Sequence, residues 1–171
     1  MAQVNLLEEI LSEWFEFKGY FVKRNVRVGL LEKGGYQTEL DIVAFHPETK
    51  HLVHIEPSGG ATSWVKREEQ YQKKFDAGRK YIPDLFKGLD IPSEIDQIAV
   101  MAYATKSSRE TVGGGRILLF SELLVDIFRE VCHWDIYKRV ISEKYGLLRL
   151  CQYIAGYKKE IWTTFSEEEG R

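Results

Sequence analysis

Residues 38–45 and 51–56 are two apolar segments joined by a short polar turn that contains Pro47, and this pair limits the fold more than any other feature. A proline turn between two β-prone runs is typical of a hairpin. Side chains alternate across a strand, so Asp41 lies on one face of the first segment among apolar neighbours. Glu56 is the last residue of the second segment. The sequence therefore predicts two neighbouring strands that each carry one acid.

The segments around this hairpin predict an α/β protein. Apolar residues at three- and four-residue spacing indicate helices, and runs of β-branched and aromatic residues indicate strands. The predicted elements are a helix over 4–18, a strand over 20–28, the two hairpin strands, a helix from an N-cap at Thr62 to about Lys80, a strand over 95–104, a loop over 106–115, a strand over 116–120, C-terminal helices from Ser121, and a frayed tail over 166–171. The order is αβββαβ, followed by one more strand and the closing helices.

Size and charge narrow the class of protein. A chain of 171 residues with 44% hydrophobic residues fits one domain with a packed core. A net charge of -2 argues against a protein that coats nucleic acid by bulk charge, so any nucleic-acid contact is expected to be local. The glutamate-rich N-terminus does not resemble a signal peptide, and no apolar run reaches the length of a membrane span. We therefore expect a cytoplasmic protein with no membrane partner.

The two acids of the hairpin suggest a metal site. Carboxylates on neighbouring strands can converge on one hard cation, and Mg²⁺ prefers one or two carboxylates completed by water and substrate phosphate. The alternative is that Asp41 and Glu56 are solvated strand-end acids with no shared role. His54 shares a face with Glu56, but a single histidine in a strand is more often structural, so we do not expect it to be catalytic.

The segments ELDIVAF (39–45) and LVHIEPS (52–58), within an αβββαβ order, resemble the core motif of the PD-(D/E)XK nuclease superfamily. The resemblance covers roughly residues 4–125. It implies an α/β fold with a restriction-endonuclease-like core, a mixed central sheet flanked by helices, and a C-terminal helical extension over about 121–165, all in a single domain of residues 1–171. It also implies that Asp41 and Glu56 hold Mg²⁺ or Mn²⁺ together with the main-chain carbonyl of Pro57. In one branch of the family a glutamate of the first helix completes the site, and Glu8 fits that position, with Glu9 as the second choice.

The sequence departs from the family motif at one position. The family has a lysine two residues after the glutamate, where this chain has Ser58, and serine cannot supply the positive charge that steadies a transition state. Some members take the lysine from the following helix, and the candidates here are Lys66, Lys73 and Lys74. The alternative for each lysine is an ordinary solvated helix face.

These observations leave two functions open. The first is a metal-dependent nuclease that hydrolyses DNA phosphodiester bonds, with Asp41, Glu56, Ser58 and one of the three lysines in the catalytic site. The second is a nuclease-like binding or regulatory module without turnover. In either case the helix over 62–80 carries a positive charge that could bind a phosphate backbone through Lys66, Arg67, Gln70, Lys73 and Lys74. The C-terminal aromatic residues predict core packing, with a homodimer surface as the alternative.

Overall fold

The computed structural model describes residues 5–60, 62–104 and 109–169, which form a mixed α/β structure of five helices and six strands. The helices and strands in chain order are α1 (Leu6–Phe17), β1 (Phe21–Leu30), β2 (Tyr36–His46), β3 (His51–Ser58), α2 (Trp64–Leu85), β4 (Asp96–Met101), β5 (Thr111–Val112), β6 (Gly115–Leu119), α3 (Phe120–Val131), α4 (Gly146–Gly156) and α5 (Lys158–Glu169). The predicted α/β class and the order αβββαβ are both found.

The six strands form one open mixed sheet in the order β1-β2-β3-β4-β6-β5. The first three strands are an antiparallel meander, as the hairpin pattern predicts. β4 returns parallel to β3 because the long helix α2 carries the chain back across the sheet, and β6 continues the parallel pairing. The hairpin strands are thus interior strands, which explains their nearly continuous burial.

The core lies on both sides of the hairpin strands. Val43 of β2 is paired with His54 of β3, so the side chains of Asp41, Val43, His54 and Glu56 point to one face of the sheet. The ring of Phe75 from α2 meets the imidazole of His54 edge to face, with centroids 5.4 Å apart, so α2 packs on this face. The predicted acids and the long helix therefore lie on the same side of the sheet.

The ends of several elements differ from the sequence prediction, among them the end of β3 and both ends of α2, which continues to Leu85. β3 does not stop at Glu56 but continues through Pro57 to Ser58, and α2 begins after Ser63, whose hydroxyl caps the helix, instead of after Thr62. Pro57 is tolerated because pairing between β2 and β3 ends at Ile55, so the missing proline N–H breaks no bond of that ladder.

The loop predicted over 106–115 contains a short hairpin, and residues 106–108 lie outside the described residues. Residues 111–119 form the short hairpin of β5 and β6, which packs on α2. The N–H of Gly113 donates to the carboxylate of Glu68 at 2.9 Å. Gly113 has a φ of +56°, and a Cβ there would lie 2.3 Å from the main-chain nitrogen of Gln72, so only glycine allows this close approach.

The chain divides into two compact units, Met1–Ser121 and Glu122–Arg171. The boundary falls close to the predicted start of the C-terminal helices. In the second unit the fully buried amide of Gln152 accepts from the N–H of Ile141 at 3.0 Å and from Arg149 at 2.6 Å. It also donates to the carbonyls of Trp134 and Arg139. One side chain of α4 therefore fixes the irregular segment between α3 and α4.

The predicted tail is helical in part, because α5 continues to Glu169. Among the described residues, no helix combines the length and the apolar character that a bilayer crossing requires.

Candidate active site

The candidate site lies where β2 and β3 separate. The pairing of these strands ends at Ile42 and Ile55, while β3 stays paired with β4 as far as Ser58. On its other side β2 also skips one position, because β1 pairs at Arg24 and Val26 but not at Asn25, which has a φ of +52°. The residue of β2 opposite that gap is Asp41. Its main-chain N–H instead donates to the carboxylate of Glu56 at 3.2 Å.

The two acids and one lysine meet at this fork. The Nζ atom of Lys74 lies 2.9 Å from Oδ1 of Asp41 and 2.9 Å from Oε2 of Glu56, and it also donates to the carbonyl of Glu39. The side chain of Glu56 is 4% exposed, whereas those of Asp41 and Lys74 are 23% and 29% exposed. The cluster is therefore half-enclosed, with Glu56 at its base and Asp41 and Lys74 open to solvent.

The pKa values of the two acids are shifted in opposite directions. Burial and, after it, the neighbouring charge of Glu56 together raise the pKa of Asp41 to about 7, although Lys74 acts to lower it. Burial also raises the pKa of Glu56, but the hydrogen bond with His54 and the charge of Lys74 outweigh it, so the net pKa is below its usual value. The ammonium of Lys74 has a raised pKa because the attraction of Glu56 and Asp41 exceeds the effect of its burial. Near neutral pH, Glu56 is a carboxylate, Lys74 is a cation and Asp41 titrates.

His54 holds Glu56 in place. Its Nε2 lies 2.8 Å from Oε1 of Glu56, and its Nδ1 lies 3.2 Å from the amide nitrogen of Gln97. That amide nitrogen also donates to the carbonyl of Phe75 at 2.8 Å, while the amide oxygen accepts from Arg79. Because Nδ1 accepts, the proton is on Nε2, and the imidazole donates to the glutamate. His54 is a satisfied buried residue, as expected from the sequence, and it orients one carboxylate of the site.

Gly78 makes this arrangement sterically feasible. A Cβ at Gly78 of α2 would lie 2.3 Å from Nδ1 of His54 and 3.1 Å from the amide nitrogen of Gln97. The helix can therefore approach the imidazole only because this position has no side chain.

Ser58, Arg67 and Tyr71 lie beside the acids. The hydroxyl of Ser58 accepts from the N–H of Gly60 at 3.3 Å. The guanidinium of Arg67 donates to the carbonyl of Gly60 at 3.1 Å, and the residue is only 8% exposed. The hydroxyl of Tyr71 is near enough to Ser58, Glu56, Asp41 and Arg67 for each to affect its pKa, which burial raises to about 12. These groups extend the cluster toward the end of β3.

The structure distinguishes the three candidate lysines. Lys66 and Lys73 are exposed, as is Gln70, because positions 66, 70 and 73 share the outer face of α2. Lys74 shares the inner face with Tyr71, about one turn earlier, and with Arg67, about two turns earlier. Of the three, Lys74 contacts the acids.

The remaining predicted ligands have the following positions. The carboxylate of Glu8 accepts from the side chain of Asn5 at the start of α1, and that of Glu9 pairs with Arg24 at 2.6 Å.

In a strand, successive residues direct their main-chain polar groups to opposite edges, and the carbonyl of Ser58 accepts from Ala102 beyond β4. The carbonyl of Pro57 therefore faces the fork between β2 and β3, on the side of Asp41.

The donor set suits a hard cation. Two carboxylates and a main-chain carbonyl are oxygen ligands of the type that Mg²⁺ and Mn²⁺ accept, and Asp41 is partly open to solvent. Within residues 5–60, 62–104 and 109–169 no group of three or more His, Cys, Asp or Glu residues could hold a metal ion. A metal at this fork would take the rest of its ligands from solvent and substrate.

Sequence reasoning missed Gln97 and Tyr71. Gln97 is in β4 and Tyr71 is in the middle of α2, and neither belongs to a motif that marks a site. The available signal for Tyr71 was its spacing, because it follows Arg67 by one turn and precedes Lys74 by three residues.

Comparison with protein-family models, with curated proteins and with solved structures found no match for the chain. The function must therefore be argued from the site itself.

Proposed function

We propose that this protein is a metal-dependent nuclease that hydrolyses DNA phosphodiester bonds, built on a restriction-endonuclease-like core. The observation that carries the proposal is the position of Lys74, whose Nζ atom is 2.9 Å from both Asp41 and Glu56 at the fork of β2 and β3. Two acids and one lysine at the separated ends of a hairpin are the catalytic groups of the PD-(D/E)XK motif. Here the lysine comes from α2, and Ser58 stands at the position two residues after the glutamate.

Asp41, Glu56 and the carbonyl of Pro57 would hold Mg²⁺ or Mn²⁺. Such a metal lowers the pKa of bound water and stabilises negative charge on a phosphodiester. Glu56 is fixed for this role by His54, and Asp41 supplies a carboxylate above its pKa of about 7. The protein thus provides one permanently charged ligand and one that becomes charged near neutral pH.

Lys74 would stabilise charge. Its raised pKa keeps it protonated at neutral pH, so it donates hydrogen bonds and cannot act as a general base. An ammonium at this distance from the metal ligands can orient a nucleophilic water and attract a phosphate oxygen. Its contribution depends on its position on the inner face of α2, which Lys66 and Lys73 do not share.

DNA would approach along the outer face of α2. Lys66, Gln70 and Lys73 are exposed there, and cations next to a phosphodiester site attract the nucleic-acid backbone. The net charge of -2 limits this attraction to the local surface.

The direct test is cleavage of supercoiled plasmid, single-stranded DNA and branched DNA by purified protein with Mg²⁺ or Mn²⁺. We expect nicking by the wild type and at least a 100-fold loss in Asp41→Asn and Glu56→Gln, while calorimetry shows that both variants bind Mn²⁺ more weakly. The control is Lys80→Met, which removes an exposed lysine of α2 that is not part of the proposed DNA surface. If no DNA is cut and no metal is bound by the folded wild type, the nuclease proposal is wrong.

The second candidate is a binding module with the same core and no turnover. It is favoured by the fact that Lys74 already forms ion pairs with both carboxylates, each at 2.9 Å. On this alternative the wild type binds DNA in the presence of EDTA with unchanged affinity, and added Mn²⁺ gives neither cleavage nor heat of binding.

A further inference from the structure

Arg67 is a buried cation without an acidic partner among the described residues. It is 8% exposed, and its contacts are the carbonyl of Gly60 at 3.1 Å, the sulfur of Met101 at 3.8 Å, and the ring of Trp64, whose centroid is 5.2 Å from its Cζ atom. A guanidinium has five N–H donors, so these contacts leave donors unused. Buried charges in proteins are usually paired, and this one is not paired with a carboxylate in the described part of the chain.

Tyr71, one turn further along α2, presents a second unused donor. The residue is 6% exposed, and its buried hydroxyl makes no hydrogen bond of normal geometry among the described residues; the Ser58 hydroxyl is close enough to lower its pKa by a weaker contact. A buried hydroxyl without a partner is unfavourable by about 1–3 kcal/mol. Burial keeps it protonated, so it is available as a donor.

We propose that Arg67 and the hydroxyl of Tyr71, with Ser58 beside them, form a subsite for one phosphate group of the nucleic-acid substrate. This inference rests on the proposed function, because the subsite adjoins the Asp41–Glu56 cluster and would bind a phosphate of the strand that is cut. The oxygen of Ser58 accepts from Gly60, and its proton can be donated to a ligand oxygen in place of its weak contact with Tyr71.

The chemistry of the subsite favours phosphate over other ligands. A guanidinium and two hydroxyl groups are all donors, and they match the acceptor oxygens of a phosphate, to which arginine binds in a planar, often bidentate way. A cation ligand is disfavoured by Arg67. An apolar ligand would leave the buried charge and the buried hydroxyl unsatisfied.

Tyr71→Phe is the informative variant because it removes one oxygen and keeps the ring that packs with Phe75, Ala99 and Met101. The matched control is Tyr81→Phe, the same change on the same helix, at a hydroxyl that already donates to Gln37 at 2.6 Å. Arg67→Lys tests the charge without the planar donor set. Thermal melting of each variant establishes that it is folded, and we expect Tyr71→Phe to melt at or above the wild-type temperature.

The measurement is titration of inorganic phosphate into the metal-free full chain, followed by NMR of the backbone amides. We expect shifts at residues 58–60 and 67–71, with affinity reduced about tenfold in Tyr71→Phe, at least tenfold in Arg67→Lys, and unchanged in Tyr81→Phe. Wild-type affinity in folded Tyr71→Phe, or phosphate shifts confined to the outer lysines, would overturn the subsite. Because the titration contains no metal, its result is independent of the cleavage and calorimetry that test the nuclease proposal.

Discussion

The main-chain N–H of Asp41 donates to the side-chain carboxylate of Glu56, at a position that the pairing of β2 skips on both sides. The two acids therefore position each other and do not depend on the regular sheet alone. Their meeting place is also where Lys74 enters from α2. Substitution of Asp41, of Lys74 or of Gly78 should therefore affect the protein in different ways.

Asp41→Asn should make the protein more stable at alkaline pH. The pKa of Asp41 is about 7 in the folded state against an ordinary 3.8, so the folded state retains a proton that the unfolded state loses. The stability from this proton is complete below pH 3.8 and is lost as pH rises through 7. Because the asparagine variant lacks this loss, we expect it to exceed the wild type by about 1–3 kcal/mol at pH 8.

The measurement is urea unfolding at pH 5 and pH 8. The difference between variant and wild type should grow with pH, and a difference that is constant or that shrinks would show that Asp41 is not held neutral by its surroundings. Glu39→Gln, which changes an exposed acid on the same strand, is the control.

Lys74→Met should lower kcat for DNA cleavage, whereas Lys73→Met, which removes a charge from the proposed DNA surface, should weaken DNA binding and leave kcat unchanged. The first removes the ammonium that contacts both acids, and the second removes an exposed charge one residue earlier. We expect a loss of at least 100-fold in kcat for Lys74→Met, which corresponds to about 3 kcal/mol of transition-state stabilisation. Single-turnover cleavage of a labelled oligonucleotide checks this, and equal losses in both variants would indicate a general charge effect instead of a positioned group.

Gly78→Ala should destabilise the fold and disturb Glu56. A Cβ would lie 2.3 Å from Nδ1 of His54, so the imidazole or the helix must move. Overpacking of this kind costs about 1–3 kcal/mol. Urea unfolding measures the loss. Gly60→Ala is the control, because a Cβ there meets only the hydroxyl of Ser58 at 3.8 Å; if the two variants unfold alike, the close approach of α2 to His54 is not important for stability.

Gln152→Leu should loosen the second unit. Its amide makes four hydrogen bonds and is fully buried, so leucine leaves the N–H of Ile141 and the carbonyls of Trp134 and Arg139 without their partner. We expect a loss of about 2–4 kcal/mol. Amide hydrogen exchange in α4 is the measurement. Gln152→Glu keeps the acceptor for Ile141 and Arg149, so it should lose less, and exchange rates like those of the wild type in both variants would rule out this role.

The sequence predicts that Asp41 and Glu56 lie on neighbouring strands, and the structure has them there, because the signal for this placement is local. An acid inside an apolar strand and another at a strand end are visible from alternation alone, and a hairpin must bring them to one edge. The choice among Lys66, Lys73 and Lys74 was beyond the sequence, because it depends on the rotation of α2 about its axis. That rotation is set by packing of Phe75 and Gly78 against His54, which are far apart in the chain.

Two other features depend on tertiary contacts in the same way. The end of β3 was placed too early because Pro57 reads as a break, whereas the structure tolerates it where β2 has already turned away. Gly113 and Gly115 indicate a loop in the sequence, whereas their small size allows close packing on α2. In both cases the residue type marks a special position of the backbone, but the structure at that position is decided by contacts with residues distant in sequence.

The inner face of α2 has a consequence for how this protein can change. Arg67, Tyr71, Lys74 and Gly78 follow one another at helical spacing, so inserting or deleting one residue within the helix would turn those on one side of the indel by about 100° relative to the others. Either Lys74 and Gly78 or Arg67 and Tyr71 would then no longer face the sheet. Length variation should accordingly be excluded from this helix and confined to its flanking loops, while single substitutions remain tolerated on its outer surface.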